Sequence, residues 1–137
     1  MNLLAEGIRP RQIMTKQAFE NAIVANSAIG GSTNGIVHLA AMAARVGLQL
    51  DLQALDRMGR DTPVLLNLKP SGEHYMEDFH SAGGMATLLR ELKPLLHLNA
   101  LTCTGRTLGE ELDGQPAFKQ DVVRTRDKPI YPQGGIA

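Results

Sequence analysis

The sequence has 137 residues, the length of one modest domain with room for a single hydrophobic core. Lysine plus arginine number 14, as do aspartate plus glutamate, and aromatic residues make up only 4%, so neither a nucleic-acid nor an anionic-membrane surface is expected. No apolar run approaches the roughly 20 residues of a spanning helix, and the lone cysteine, Cys103, excludes an internal disulfide and a self-contained cysteine-ligated cluster.

Residues 1–14 are short and mixed, with a break at Arg9-Pro10-Arg11. Thr15 is placed to cap a helix over 16–29, where Phe19, Ala22 and Ile23 fall at helical spacing, and Gly30-Gly31 ends it. A second helix is expected at about 33–46, with Ile36, Leu39, Ala40 and Ala43 on one stripe and His38 half-buried and satisfied among them. Asp51 can cap a third helix carrying Leu52, Leu55 and Met58. Residues 64–68 form an apolar run of strand length between Pro63 and the turn Pro70-Ser71-Gly72. A helical turn over 76–81 follows, then Gly83-Gly84 and a helix through Leu92 that Pro94 ends. Residues 101–104 read as extended, and Thr107 with Glu110 has the form of a capping box. After about residue 113, proline, glycine and charge predict a connection rather than core. The class is mixed α/β with helices dominant.

The segment Gly30-Gly31-Ser32-Thr33-Asn34 gathers glycines, two hydroxyls and an amide at a helix start. Free backbone N–H groups and the helix dipole both favour a carboxylate or phosphate there. The competing explanation is purely local: glycine stops one helix and a hydroxyl or amide caps the next. The Walker lysine and the dinucleotide glycine spacing are both missing. In Glu73-His74-Tyr75-Met76-Glu77-Asp78-Phe79-His80, helical spacing would put His74 and Asp78 on one face and Glu77 and His80 on another, a division that suits one metal poorly. His97 carries no signal. The amides of the turn at 69–72 are a further place that could face a ligand. Cys103, between threonines and without a nearby base, is expected to be a small core residue.

Several stretches, taken in order, carry a resemblance. Ala18-Phe19-Glu20-Asn21-Ala22 leads into Gly30-Gly31-Ser32-Thr33-Asn34; Pro70-Ser71-Gly72 is followed by Met76-Glu77-Asp78 and Ala82-Gly83-Gly84; Leu101-Thr102-Cys103-Thr104-Gly105-Arg106-Thr107-Leu108 and Gly134-Gly135-Ile136 complete the set. Over nearly its whole length the chain resembles the dihydroxy-acid and sugar-acid dehydratases, a family that also includes the phosphogluconate dehydratases. The wording around 66–72 and 77–79 looks closer to the sugar-acid branch. The resemblance implies an internal fragment: the helix-rich C-terminal part of the family's N-terminal layered α/β domain over 1–112, and a linker towards a second domain over 113–137.

Family members remove water from a 2,3-dihydroxy or sugar acid to give a 2-keto acid, using an iron–sulfur cluster, magnesium and a serine base. The positions that hold those groups lie outside the part matched here, so no catalytic or metal residue is expected in this chain and no cofactor is expected to bind it. Cys103 stands where the family commonly has an aliphatic residue, and Arg124-Thr125-Arg126 departs from the family's usual apolar and proline pattern. The expectation is a hydro-lyase fragment that is inactive alone and comes from a cytoplasmic, homo-oligomeric parent. Gly31, Ser32, Thr33 and Asn34 would face a small carboxylate substrate. The rival readings are a non-catalytic small α/β protein that binds an anion at 30–34, and a truncated product that is purely structural.

Overall fold

The computed structural model describes residues 2–114 and 121–134. Eight α-helices follow one another among them: α1 (Asn2–Ala5), α2 (Pro10–Ile13), α3 (Lys16–Ile29), α4 (Thr33–Arg45), α5 (Leu52–Asp61), α6 (Met76–Ser81), α7 (Gly84–Glu91) and α8 (Leu108–Leu112), with a 3-10 turn at Lys93–Leu95 after α7.

The helix ends follow from local chemistry. Thr15 Oγ1 accepts the Ala18 amide at 3.3 Å and starts α3; Gly30, at φ 71°, takes the left-handed conformation that stops it. Asp51 accepts from the Gln53 amide at 2.9 Å and starts α5. Thr107 and Glu110 exchange bonds in a true capping box: Glu110 N–H donates to Thr107 Oγ1 at 3.3 Å, and Thr107 N–H donates to Glu110 Oε2 at 2.8 Å.

The long helix α3 is the spine. It buries Phe19, Ile23, Val24 and Ala28 and packs against both α4 and α5. Beside its C-terminal end runs the extended segment expected from the apolar run at 64–68. Val64, Leu65, Leu66 and Asn67 are all buried, and the core continues through Phe79, Leu88, Leu92 and Leu96. Burial here follows from a segment hydrogen-bonded along its length rather than along one side. Leu65 N–H donates to Ala28 O at 2.9 Å, Asn67 N–H to Val122 O at 2.8 Å, Arg124 N–H to Leu65 O at 2.8 Å, and Ile130 N–H to Val64 O at 2.9 Å.

Two expectations change in form. The helix-rich character stands, but among the described residues the β pairings are isolated bridges (Val64 with Tyr131, Leu66 with Val123, Leu68 with His74, Leu101 with Thr107), and no layered sheet develops. Pro63 and Pro70 bound the central run, and Pro129 and Pro132 bound one partner, so no ladder can lengthen. The region after 113 also contributes more than a connection: Val122 and Val123, 5% and 4% exposed, belong to the core cluster. Two adjacent valines show no periodicity, which is why the sequence hid them. Residues 115–120 and 135–137, including most of the Gly134-Gly135-Ile136 motif, lie outside the described residues.

Gly134 itself is docked. A Cβ there would sit 2.5 Å from the backbone oxygens of both Gly59 and Thr62 and 3.2 Å from Ser27 Cβ. We therefore expect Gly134→Ala to cost about 1–3 kcal/mol of stability through overpacking against backbone that cannot give way. A denaturant midpoint for both forms checks it; an unchanged midpoint would mean that the slot opens freely.

The capping box also shifts the titration of its own carboxylate. The Thr107 hydroxyl, and then its backbone N–H, hold the Glu110 carboxyl below the usual glutamate value. A depressed carboxyl supports the fold above its ordinary pKa, and that support disappears as pH falls through the folded value. We expect Thr107→Ala to raise the Glu110 midpoint in a side-chain NMR titration.

Candidate functional site

The sharp turn between α3 and α4 is built around Asn26. The Gly31 amide donates to Asn26 O at 2.8 Å, folding the chain back over the end of α3. The Asn26 side chain then occupies the space that side chains at 31 and 35 would need. A Cβ at Gly31 would overlap Asn26 Oδ1, and one at Gly35 would lie 2.8 Å from the same atom. A side chain at either position would displace the Asn26 amide, and one at Gly31 would also crowd the Asn26 backbone oxygen at 3.0 Å. Asn26 Nδ2 is buried without a hydrogen-bond partner, as is the hydroxyl of fully buried Ser27 one residue on.

Beyond the turn, Ser32 takes the N-cap position of α4 with extended backbone, φ −84° and ψ 159°, but its side chain makes no capping hydrogen bond. Ser32, Thr33 and Asn34 are all exposed. The structure thus brings residues 31–34 together on one accessible helix start, with hydroxyls not consumed by the capping role that competed for them. Thr15, Asp51 and Thr107 show what such a cap looks like elsewhere in the chain.

The rest of α4 keeps the expected stripe, with Ile36, Leu39 and Ala40 half-buried beside Ala43 and the opposite face exposed. Only Ala43 is buried, while Val37 and Met42 are 64% and 43% exposed. His38 is exposed rather than half-buried, because α3 covers only one edge of the helix.

The 73–80 stretch folds into local duties. His74 precedes α6, with Nδ1 3.9 Å from Asp78 Oδ2 and Nε2 3.5 Å from Asp121 Oδ1. Asp78 is engaged in accepting the Tyr75 amide at 2.8 Å, which starts α6. Among the described residues no three His, Cys, Asp or Glu side chains come together as a metal site.

Cys103 contradicts the expectation of a core residue: it is exposed. It lines an apolar groove of about 700 Å³ together with Leu3, Ile8, Pro10, Ile13 and Met14. The short helices α1 and α2 stand across from it without closing over it.

One clamp left no trace in the sequence pattern. Asn21, on α3, donates through Nδ2 to His97 O at 3.0 Å and accepts the His97 amide at 2.7 Å, while Glu20 Oε2 lies 2.7 Å from His97 Nε2. These contacts tie the segment after α7 to the start of the spine. Local periodicity cannot reveal a pairing across 76 residues.

Comparison with known proteins places this geometry in context. A sequence model described as dihydroxy-acid/6-phosphogluconate dehydratase N-terminal matches residues 1–111. The chain belongs to that family. It is 46% identical over 138 residues to an L-arabinonate dehydratase of Rhizobium leguminosarum bv. trifolii, covering 99% of this chain and 24% of the relative. It is 45% identical over 141 residues to a dihydroxy-acid dehydratase of Nitratidesulfovibrio vulgaris, covering all of this chain and 26% of that protein. A dihydroxy-acid dehydratase of Methanosarcina barkeri is 40% identical over the same length, again across 100% of this chain and 26% of its own. The chain therefore spans about a quarter of the length of the curated relatives it matches. Among the described residues no helix is long and apolar enough to cross a membrane.

The exposure of Cys103 gives a direct check. A thiol reagent should modify one group per chain in the native protein without denaturant, and Cys103→Val should shift stability by less than about 1.5 kcal/mol. Modification that required unfolding would return Cys103 to the core.

Proposed function

We propose that this chain supplies the substrate-facing turn of a hydro-lyase that dehydrates a dihydroxy or sugar acid to a 2-keto acid. Ser32, Thr33 and Asn34 hydrogen-bond the substrate's carboxylate or hydroxyls at the start of α4, and Gly31 lets the turn pack closely enough to hold them there. The observation that supports this reading is the uncommitted Ser32 side chain: it occupies the N-cap position and caps nothing. An anion at that point meets unpaired helix amides and the positive end of the dipole, with short hydroxyls alongside.

In such an enzyme a Lewis-acid metal would assist loss of one hydroxyl while a base removes the neighbouring proton. The residues of this chain do not fit either metal group. A cluster needs several thiolates where the chain has one cysteine, and a magnesium ion needs converging oxygens where the described carboxylates are dispersed. This chain's share is accordingly binding and orientation, and we propose that it is inactive alone.

The test uses Ser32→Ala and Thr33→Val, built into a full-length dehydratase containing this chain, with kinetics and thermal midpoints measured on the same samples. Loss of a hydrogen bond to a charged group is expected to lower kcat/KM by about ten- to a hundredfold, with the midpoint nearly unchanged. A helix cap would instead lose about 1 kcal/mol of stability and leave kinetics intact, and that outcome would remove the substrate role.

A further inference from the structure

We infer that the chain carries a second, separate binding site, for a hydroxylated small molecule bearing an oxyanion, in the polar cleft between the 69–73 turn and the 124–130 segment. The cleft measures about 460 Å³ and is lined by Asn67, Ser71, Glu73, Arg124, Lys128 and Ile130. That volume suits a small organic ligand better than a lone ion. It involves none of residues 31–34, so the inference stands independently of the function proposed above.

The charges in the cleft are not internally balanced. Among the described residues neither Arg124 nor Lys128 forms an ion pair, whereas Lys69 nearby is committed, its ammonium 4.0 Å above the Tyr75 ring and bonded to the Tyr75 hydroxyl. The residues lining the cleft include two cations, both exposed, and one carboxylate, Glu73, so its rim carries one positive charge in excess. A guanidinium fork beside a compact ammonium is suited to an oxyanion of phosphate or carboxylate type.

The opposite wall is held in place. Asn67, 7% exposed, accepts the Glu73 amide at 3.2 Å and donates to Glu73 Oε2 at 3.5 Å, so its amide braces the turn. A Cβ at Gly72 would lie 2.5 Å from the Asn67 carbonyl carbon, so the turn packs directly on the backbone beneath. The Arg124 amide donates to Leu65 O at 2.8 Å and anchors the cationic wall to the same buried segment. The backbones of both walls are therefore fixed to one support before any ligand arrives. The Ser71 hydroxyl and the Glu73 carboxylate then accept or donate to hydroxyl groups on the body of the ligand, which a bare anion would leave unused.

The experiment titrates the 137-residue chain with inorganic phosphate, glycerol 3-phosphate and glycerate at constant ionic strength, following backbone amide NMR shifts. Saturable shifts confined to residues 67–73 and 124–130 are expected with glycerol 3-phosphate, glycerate or both, and which of them binds tells a phosphate from a carboxylate head. Arg124→Gln and Lys128→Gln should each weaken binding about tenfold, while Lys69→Gln, with the same charge change, should alter it less than about twofold. Glu73→Gln should tighten inorganic phosphate by removing the opposing charge, and this gain of binding cannot come from misfolding. No saturable shift with any probe, or equal loss in all three lysine and arginine variants, would overturn the site. Inorganic phosphate binding as tightly as either hydroxylated probe would overturn the part assigned to Ser71 and Glu73.

Discussion

The carbonyl of Ala28, near the end of α3, accepts the amide of Leu65 at 2.9 Å, and that junction joins the spine helix to the buried run on which the described core is built. The segment it fixes bonds to Val122, Arg124, Ile130 and Tyr131 through its own backbone. One short extended run thus organises the spine helix, the late valines and the 130–131 segment without a sheet. Both of its termini are limited by proline, so the arrangement gains its strength from burial and from the backbone bonds made along the run. Asn67 extends the same run into polar chemistry by bracing the turn that follows it.

What the sequence made legible was whatever two to four neighbouring residues decide. The caps at Thr15, Asp51 and Thr107, the stop at Gly30 and the extents of α3 and α6 all depend on contacts within one turn of helix. What stayed hidden depends on where distant pieces land. The docking of Gly134 against Gly59 and Thr62, the joining of Asn21 to His97 and the burial of Val122 involve partners far apart in the chain. Cys103 was misplaced for the same reason: its residue type favours a core, but its exposure is set by how α1 and α2 stand relative to it. The family resemblance rested on motifs, and the match over residues 1–111 supports it at that level. It did not say which residues of the motifs are structural. In Gly30-Gly31-Ser32-Thr33-Asn34 the glycines answer to left-handed backbone and to Asn26, while the three polar residues have no such internal duty.

The two proposed binding regions differ in how they are held. The cleft beside Asn67 has both walls attached to the buried run, through Asn67 itself and through the Arg124 amide. The turn at 31–34 is supported from one side only, by Asn26 and the end of α3. Such a difference matters for ligands, since an unsupported turn loses conformational freedom on binding and a braced one has already lost it.

That contrast has a consequence for α4. With Ala43 as its single fully buried residue and Ile36, Leu39 and Ala40 half-buried, this 13-residue helix draws less of its stability from the core than α3 does. Cooperative units with few buried contacts open at a free energy well below that of the whole fold. Amides of α4 should therefore trade their protons for deuterons through local openings, while those of α3 and the 64–67 run wait for global unfolding. In a full-length relative, whatever covers Val37 and Met42 would close that gap, and protection along α4 would then report on the assembly of the whole enzyme.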